Sequence, residues 1–274
     1  VIGVYTTRFS LSLTFGLVFI PAAPAHYHML LPDKPSAKRG ETVTFTYQFG
    51  HPFEHQLFDT RAPVALFVLT PGGQKIDVWK SLEKTGIDGA DGKKVTAYRF
   101  TFRPEQRGDY TFVAVTEPIK LEGDQETIRD VVKVVLHVVT QNGWDRKAGE
   151  LFNRSLEVSP LTRPYGLRAG MGFQVEVEEK DMRINAGAPA GPSPRPVAGV
   201  HVEVERFNPT PPKELPPDEH ITRVVRTDAA GAATATLTEP GWWCLTAFRD
   251  EDGVRSRSTL WVYVDDKVPL GPAK

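Results

Sequence analysis

In Glu41-Thr42-Val43-Thr44-Phe45-Thr46-Tyr47-Gln48-Phe49, Val43, Phe45, Tyr47 and Phe49 fall on one face and Thr42, Thr44, Thr46 and Gln48 on the other. A side-chain period of two is that of a strand with one buried face. Similar signals recur at residues 64–69, 96–102, 110–116 and 131–140. Turn chemistry separates them: Pro71-Gly72-Gly73, Asp88-Gly89, Asp91-Gly92 and Arg107-Gly108-Asp109. No helical period competes, so residues 26–140 read as an antiparallel β-sandwich of the immunoglobulin type.

The pattern resumes at 173–178, 200–206, 222–227, 233–237, 242–249 and 258–264. Between the two strand-rich regions, residues 141–164 carry Asn142-Gly143, Gly149, Pro160 and Pro164 and are expected to form a linker. The fold class is therefore all-β, with two sandwich domains, the second at 165–265 and a short tail at 266–274. Residues 186–196, rich in Ala, Gly, Pro and Ser, and the Pro-rich residues 208–218 are expected to be surface loops.

Ahead of the first sandwich, Arg8 precedes an apolar run at residues 11–20, and Ala23-Pro24-Ala25 supplies small residues in an A-x-A arrangement. Residues 1–25 thus read as a cleavable signal peptide, with an apolar run too short to span a bilayer comfortably. Export to the periplasm or another extracytoplasmic space is the expectation. The chain has 33 Lys plus Arg against 34 Asp plus Glu, a formal charge of −1. That balance supplies no positive field for nucleic acid. Cys244 is the single cysteine, so neither an intramolecular disulfide nor a thiolate zinc site is available, and any metal must be held by nitrogen and oxygen.

Cleavage after Ala25 would make His26 the first residue of Ala25-His26-Tyr27-His28 to survive processing. Its α-amine, two backbone amides and the His28 imidazole could then form a planar set of four nitrogens, with the His26 ring beside it. Such a set suits Ni(II) or Cu(II). A second group of donors, His51, Glu54 and His55, follows directly on the strand ending at Phe49, with Pro52 stiffening the loop. Imidazoles with a carboxylate suit a transition metal better than calcium or magnesium. A looser set of the amine, His26 and His51 would serve Co(II) as well as Ni(II). Glu54 could instead orient a ring.

Several strings together carry a family likeness. They are His26-Tyr27-His28-Met29-Leu30-Leu31-Pro32, Gly50-His51-Pro52-Phe53-Glu54, Gln141-Asn142-Gly143-Trp144 and Pro160-Leu161-Thr162-Arg163-Pro164-Tyr165-Gly166-Leu167. The later part adds Pro196-Val197-Ala198-Gly199-Val200, Thr227-Asp228-Ala229-Ala230-Gly231 and Pro240-Gly241-Trp242-Trp243. In order and spacing these resemble the DUF4198 family, whose members include the NikK-type exported component of nickel and cobalt transport. The resemblance implies an extracytoplasmic metal-binding β-protein working beside an energy-coupling-factor nickel/cobalt permease. In the family pattern a histidine shortly precedes the lysine that is here Lys133, and this chain has Asp130 near that place. The second half resembles small transthyretin-like sandwiches, which implies no catalysis of its own.

The remaining candidates read as structural. His137 is expected on the solvent side of its strand with Lys133, opposite Val132, Val134, Leu136 and Val138. His201 and His220 are placed outside the site. Cys244 is expected as a small buried hydrophobe, Arg163 as a partner of a carboxylate or of Trp144 or Tyr165, and Trp242 and Trp243 on opposite faces. No Ser-His-Asp set, phosphate loop or paired catalytic carboxylates emerge, so no enzyme is expected. Two other readings stay open, a copper enzyme built on a His26–His51 brace and a structural or carbohydrate-contacting module.

Overall fold

The computed structural model describes residues 26–89, 92–120, 127–139, 156–180 and 194–267. The expected signal peptide, residues 141–155 of the expected linker, residues 186–193 of the first loop and residues 268–274 of the tail lie outside the described residues. Local alternation yields strands nearly everywhere it was read. The first half forms β1 (Tyr27–Pro32), β2 (Ser36–Ala37), β3 (Val43–His51), β4 (Gln56–Phe58), β5 (Ala65–Leu69), β6 (Lys75–Asp77), β7 (Glu83–Asp88), β8 (Lys94–Phe102), β9 (Gly108–Val115), β10 (Ile119–Lys120) and β11 (Thr127–Val138). The second forms β12 (Glu157–Pro160), β13 (Leu167–Arg168), β14 (Met171–Lys180), β15 (Pro194–Pro196), β16 (His201–Arg206), α1 (Asp218–Ile221), β17 (Arg223–Arg226), β18 (Ala232–Leu237), β19 (Gly241–Glu251) and β20 (Val254–Asp265).

The protein is all-β, and its strands build two cores. In the first, the sheet β1-β3-β8-β7 faces the strands β11-β9-β5-β6. The apolar row of β3 fills the gap: Phe45 lies 4.1 Å from Phe112 and 4.9 Å from Phe100 between ring centroids. Each such side chain taken fully out of water stabilises by about 1.5–3 kcal/mol. In the second, β12, β14, β15 and β18 cover β17-β16-β19-β20. Phe173, Val175, Val177, Val204, Leu245 and Val262 pack there, an aliphatic core beside an aromatic one.

The two cores share a sheet. β11 and β20 pair in parallel, from Thr127 opposite Val254 to Val134 opposite Trp261, and this joins both halves into one continuous sheet of β17-β16-β19-β20-β11-β9-β5-β6. As a result Cys244 and Trp261, both from the second half, are buried in the first core. Trp243 enters the second core while Trp242 packs against the first, so the pair does divide between two faces. β12 falls within the stretch expected to be linker, where it pairs with β14 from Glu157 opposite Glu178 to Pro160 opposite Val175.

This joint corrects two expectations. Lys133 is not on a solvent face. It is buried against the second half, donating to the Glu157 carboxylate and the Val158 carbonyl of β12. His137 is likewise half-covered: Nδ1 lies 2.7 Å from Asp109 Oδ1, and the ring stacks on Tyr165 at 3.9 Å. Alternation separates the two faces of a strand, but it does not say that the second face meets water. Arg163 lies over the Tyr165 ring at 5.2 Å. Among the described residues no helix is long and apolar enough to cross a membrane.

Candidate metal site

β1 and β3 run antiparallel, with Tyr27 opposite Gly50 and His28 opposite Phe49. One step outward along the same register, His26 meets His51. Their ring centroids are 4.2 Å apart at an interplanar angle of 65°. The core-facing row of β3, read from Val43 to Phe49, continues by its period of two to His51, so a histidine pair closes the end of an aromatic core. Phe49 lies 5.6 Å from the His26 ring, and Phe58 lies 5.4 Å from His26 and 5.5 Å from His51.

That apolar setting matters for protonation. Burial lowers the His51 pKa below its ordinary 6.5, although the Glu54 charge and a hydrogen bond with Gln56 act the other way. A neutral imidazole keeps the lone pair that coordination requires. His28 Nε2, His51 Nε2 and Glu54 Oε2 are each shielded from solvent without a hydrogen-bond partner among the described residues. Buried polar atoms are ordinarily paired, and an orphan marks a place where a ligand is to be sought.

The chain reverses sharply after His51 so that β4 can pair back onto β3. Gly50 makes this possible: at φ +153 a Cβ would come within 2.0 Å of the Gln56 carbonyl oxygen. His55 takes a left-handed φ of 54 in the turn. Its Nδ1 lies 2.8 Å from the Asn208 carbonyl and its ring 5.7 Å from Phe207. His55 is thus directed to the second half of the chain.

His28 is engaged differently again. Its Nδ1 lies 2.5 Å from Asp130 Oδ2, and Asp130 accepts from Arg257 Nε and Nη2, each at 2.6 Å. Burial alone would favour the neutral acid at Asp130, but the Arg257 guanidinium and the bond from His28 hold its carboxyl well below the usual carboxylate range. An ionised Asp130 requires the hydrogen on His28 Nδ1. His28 lies flat against Tyr47, centroids 5.5 Å apart, and Trp261 donates its indole N–H to the His28 carbonyl at 3.3 Å. His28 is thus held through Nδ1 by Asp130, and the Tyr27–His28 backbone is paired with β3, while its Nε2 is buried without a hydrogen-bond partner among the described residues.

Of the five candidate ligands, the fold brings His26 and His51 together and keeps Glu54 near enough for its charge to act on His51. His28 and His55 each meet another partner through Nδ1, and His28 keeps Nε2 without a hydrogen-bond partner among the described residues. Among the described residues no group of three or more His, Cys, Asp or Glu is arranged to hold a metal ion. Sequence reading passed over Arg257, Glu205 and Asn208, which belong to the second half yet touch the site's surroundings. Glu205 is fully buried, accepts the Phe53 N–H at 3.1 Å and the Thr222 hydroxyl at 2.6 Å, and is pushed up to about 8 by burial. No local spacing marks these residues. Only an acidic residue alternating within an apolar strand hints at Glu205.

Among solved structures, the chain is similar to dimeric latent PorU from Porphyromonas gingivalis at 11% identity, with 88% of this chain and 20% of that one covered and a TM-score of 0.24. It is similar to the Yersinia pseudotuberculosis adhesin InvE at 13% identity, covering 86% and 59%, with a TM-score of 0.22. A Salmonella alpha-2-macroglobulin mutant gives 16% identity, 89% and 15% coverage and a TM-score of 0.25. The chain thus spans between 15% and 59% of these proteins, and scores this low support no functional reading. No curated protein matches. The family comparison matches residues 23–251, which takes in the histidine pair and every strand given above except β20, and by that match the chain belongs to the family described as a domain of unknown function, DUF4198.

Proposed function

We propose that this protein is an exported metal carrier that captures Ni(II), or Co(II), outside the cytoplasmic membrane and passes it to a permease of the energy-coupling-factor type. The observation that carries the reading is the His26–His51 pair, with the sheltered Nε2 of His51 open to a ligand. Cleavage after Ala25 would add the His26 α-amine. The donor set is then the amine and ring of His26 with the ring of His51, and Glu54 is placed to contribute a carboxylate. Neutral nitrogen donors with one oxygen suit Ni(II), Co(II) and Cu(II). A set with no deprotonated backbone amide releases its ion readily, as delivery demands.

The same His26–His51 geometry would serve a copper brace, and experiment separates the two. Leader-free protein beginning at His26, titrated calorimetrically, is expected to take up about one Ni(II) per chain, and His51→Ala to bind it much more weakly. In a strain dependent on this protein, His51→Ala lowers nickel uptake when nickel is scarce, and excess nickel restores it. Absence of Ni(II) and Co(II) binding overturns the reading. Copper-dependent consumption of reductant and oxygen by the wild type would favour the brace.

A further inference from the structure

The loop that bears His51 and Glu54 belongs to the first core but is held from the second. Beside the Glu205 carboxylate, which accepts the Phe53 N–H, four polar groups of Asn208 take part in this. Its backbone N–H donates to the Pro52 carbonyl at 3.0 Å, and its side-chain Nδ2 donates to the Phe53 carbonyl at 2.6 Å. Its own carbonyl accepts from His55 Nδ1 at 2.8 Å, and its Oδ1 accepts from Arg206 Nη1 at 2.5 Å. Asn208 therefore grips three successive parts of the loop while Arg206 fixes Asn208 itself.

The grip is anchored in the second half's strands. Arg206 ends β16 opposite Trp243 of β19 and donates through Nε to the Pro240 carbonyl at 3.0 Å. Phe207 N–H donates to the Trp242 carbonyl at 2.8 Å. A run of rigid contacts thus leads from the aliphatic core through Arg206 and Asn208 to the loop. The loop needs outside support, since the left-handed region brings Cβ close to the following carbonyl oxygen in any non-glycine residue and His55 occupies it. Its bond to Asn208 is one compensation. An amide bonded through both Oδ1 and Nδ2 has one orientation favoured over its flip, and it imposes that orientation on its partners.

We propose that Asn208 is a positioning residue that sets the Pro52–His55 turn, and with it His51 and Glu54, in the form that accepts the metal beside His26. The inference rests on the carrier reading for its metal-binding consequence. The second sandwich then belongs to the site without supplying a ligand, and the parallel joint between β11 and β20 keeps the two halves in fixed relation.

The test uses the processed protein, an Asn208 variant and one control. Asn208→Ala removes both side-chain bonds. Val204→Ala thins the buried second core at a position clear of the loop and controls for general loss of stability. Ni(II) titration is expected to show affinity about tenfold weaker in Asn208→Ala, as for other groups that orient metal ligands, and unchanged in Val204→Ala. Hydrogen exchange at the residue-208 amide of metal-free protein, which donates to the Pro52 carbonyl, is expected to accelerate in Asn208→Ala alone once corrected for the intrinsic rate of the new residue. Should Asn208→Ala fail to fold, Asn208→Ser is read for the same two quantities. Wild-type affinity in the folded Asn208 variant, or an equal loss in Val204→Ala, overturns the positioning role. If the wild type itself binds no Ni(II), the carrier reading falls separately, and exchange alone judges the clamp: unchanged exchange at the residue-208 amide overturns it and faster exchange upholds it.

Discussion

His26 and His28 stand two residues apart on the same face of one strand, yet their surroundings give them different tasks. His28 is almost wholly buried, with Nδ1 fixed on Asp130, Asp130 fixed on Arg257, and its ring pressed on Tyr47 and Phe49. His26 is half-buried at the strand's outer end, beside the His51 ring. One imidazole joins β1 to β11 and β20 through Nδ1, with its Nε2 buried and without a hydrogen-bond partner among the described residues. The other faces a partner of its own kind, which is the arrangement a metal ion can bridge. The lesson is that residue type and spacing propose ligands, and the charge and depth of neighbouring groups decide which of them stay available.

Breaking the inner arrangement should have the largest effect. Asp130→Ala would leave the Arg257 charge buried without its carboxylate, and stability in a denaturant titration is expected to fall by about 3–5 kcal/mol. A much smaller loss would mean that Arg257 finds another partner and that the inner histidine is not part of a structural joint.

At the outer end the expected loss is in binding. His51→Ala should weaken Ni(II) roughly a hundredfold, which corresponds to about 2.7 kcal/mol, while the half-exposed position keeps the change in unfolding free energy well below that of Asp130→Ala. The comparison breaks if the two substitutions exchange their effects, with His51→Ala destabilising and Asp130→Ala only weakening metal.

The buried carboxylates also set opposite pH slopes. Asp130 has a folded pKa below its ordinary 3.8, so the stability it contributes is present above that value and is lost as pH falls. Glu205 has a folded pKa raised from 4.5 to about 8, so the folded state holds its proton and that contribution is lost as pH rises through this window. Denaturant midpoints between pH 5 and pH 8 should therefore decline in the wild type, and Glu205→Gln should remove that part of the decline. An unchanged slope in the variant would show that Glu205 is ionised throughout.

The smallest effect belongs to a histidine outside both arrangements. His201 is exposed on β16, where Arg226 Nε donates to its Nε2 at 2.6 Å. His201→Ala is expected to change stability by less than about 0.5 kcal/mol and to leave Ni(II) titration unaltered. Weakened binding there would enlarge the site beyond the β1–β3 end.

The sequence by itself determined the strands and much of their facing. The period of two from Val43 to Phe49 identifies β3 and its core side, and the same period reaches His51, because alternation follows from the pleated backbone and needs no distant contact. It also marked Cys244 as a buried residue and excluded disulfides. It left β1 read as a chain terminus carrying ligands, although its six residues are all buried in the sheet. Tertiary structure alone decided which histidine met which partner. His28 and Asp130 are 102 residues apart, and Asp130 and Arg257 are 127 apart. Their meeting depends on the parallel pairing of β11 with β20, and Asn208 reaches the His51 loop through the joint that this pairing forms. Such contacts arise from strands choosing neighbours across the whole chain, a choice that no local spacing encodes.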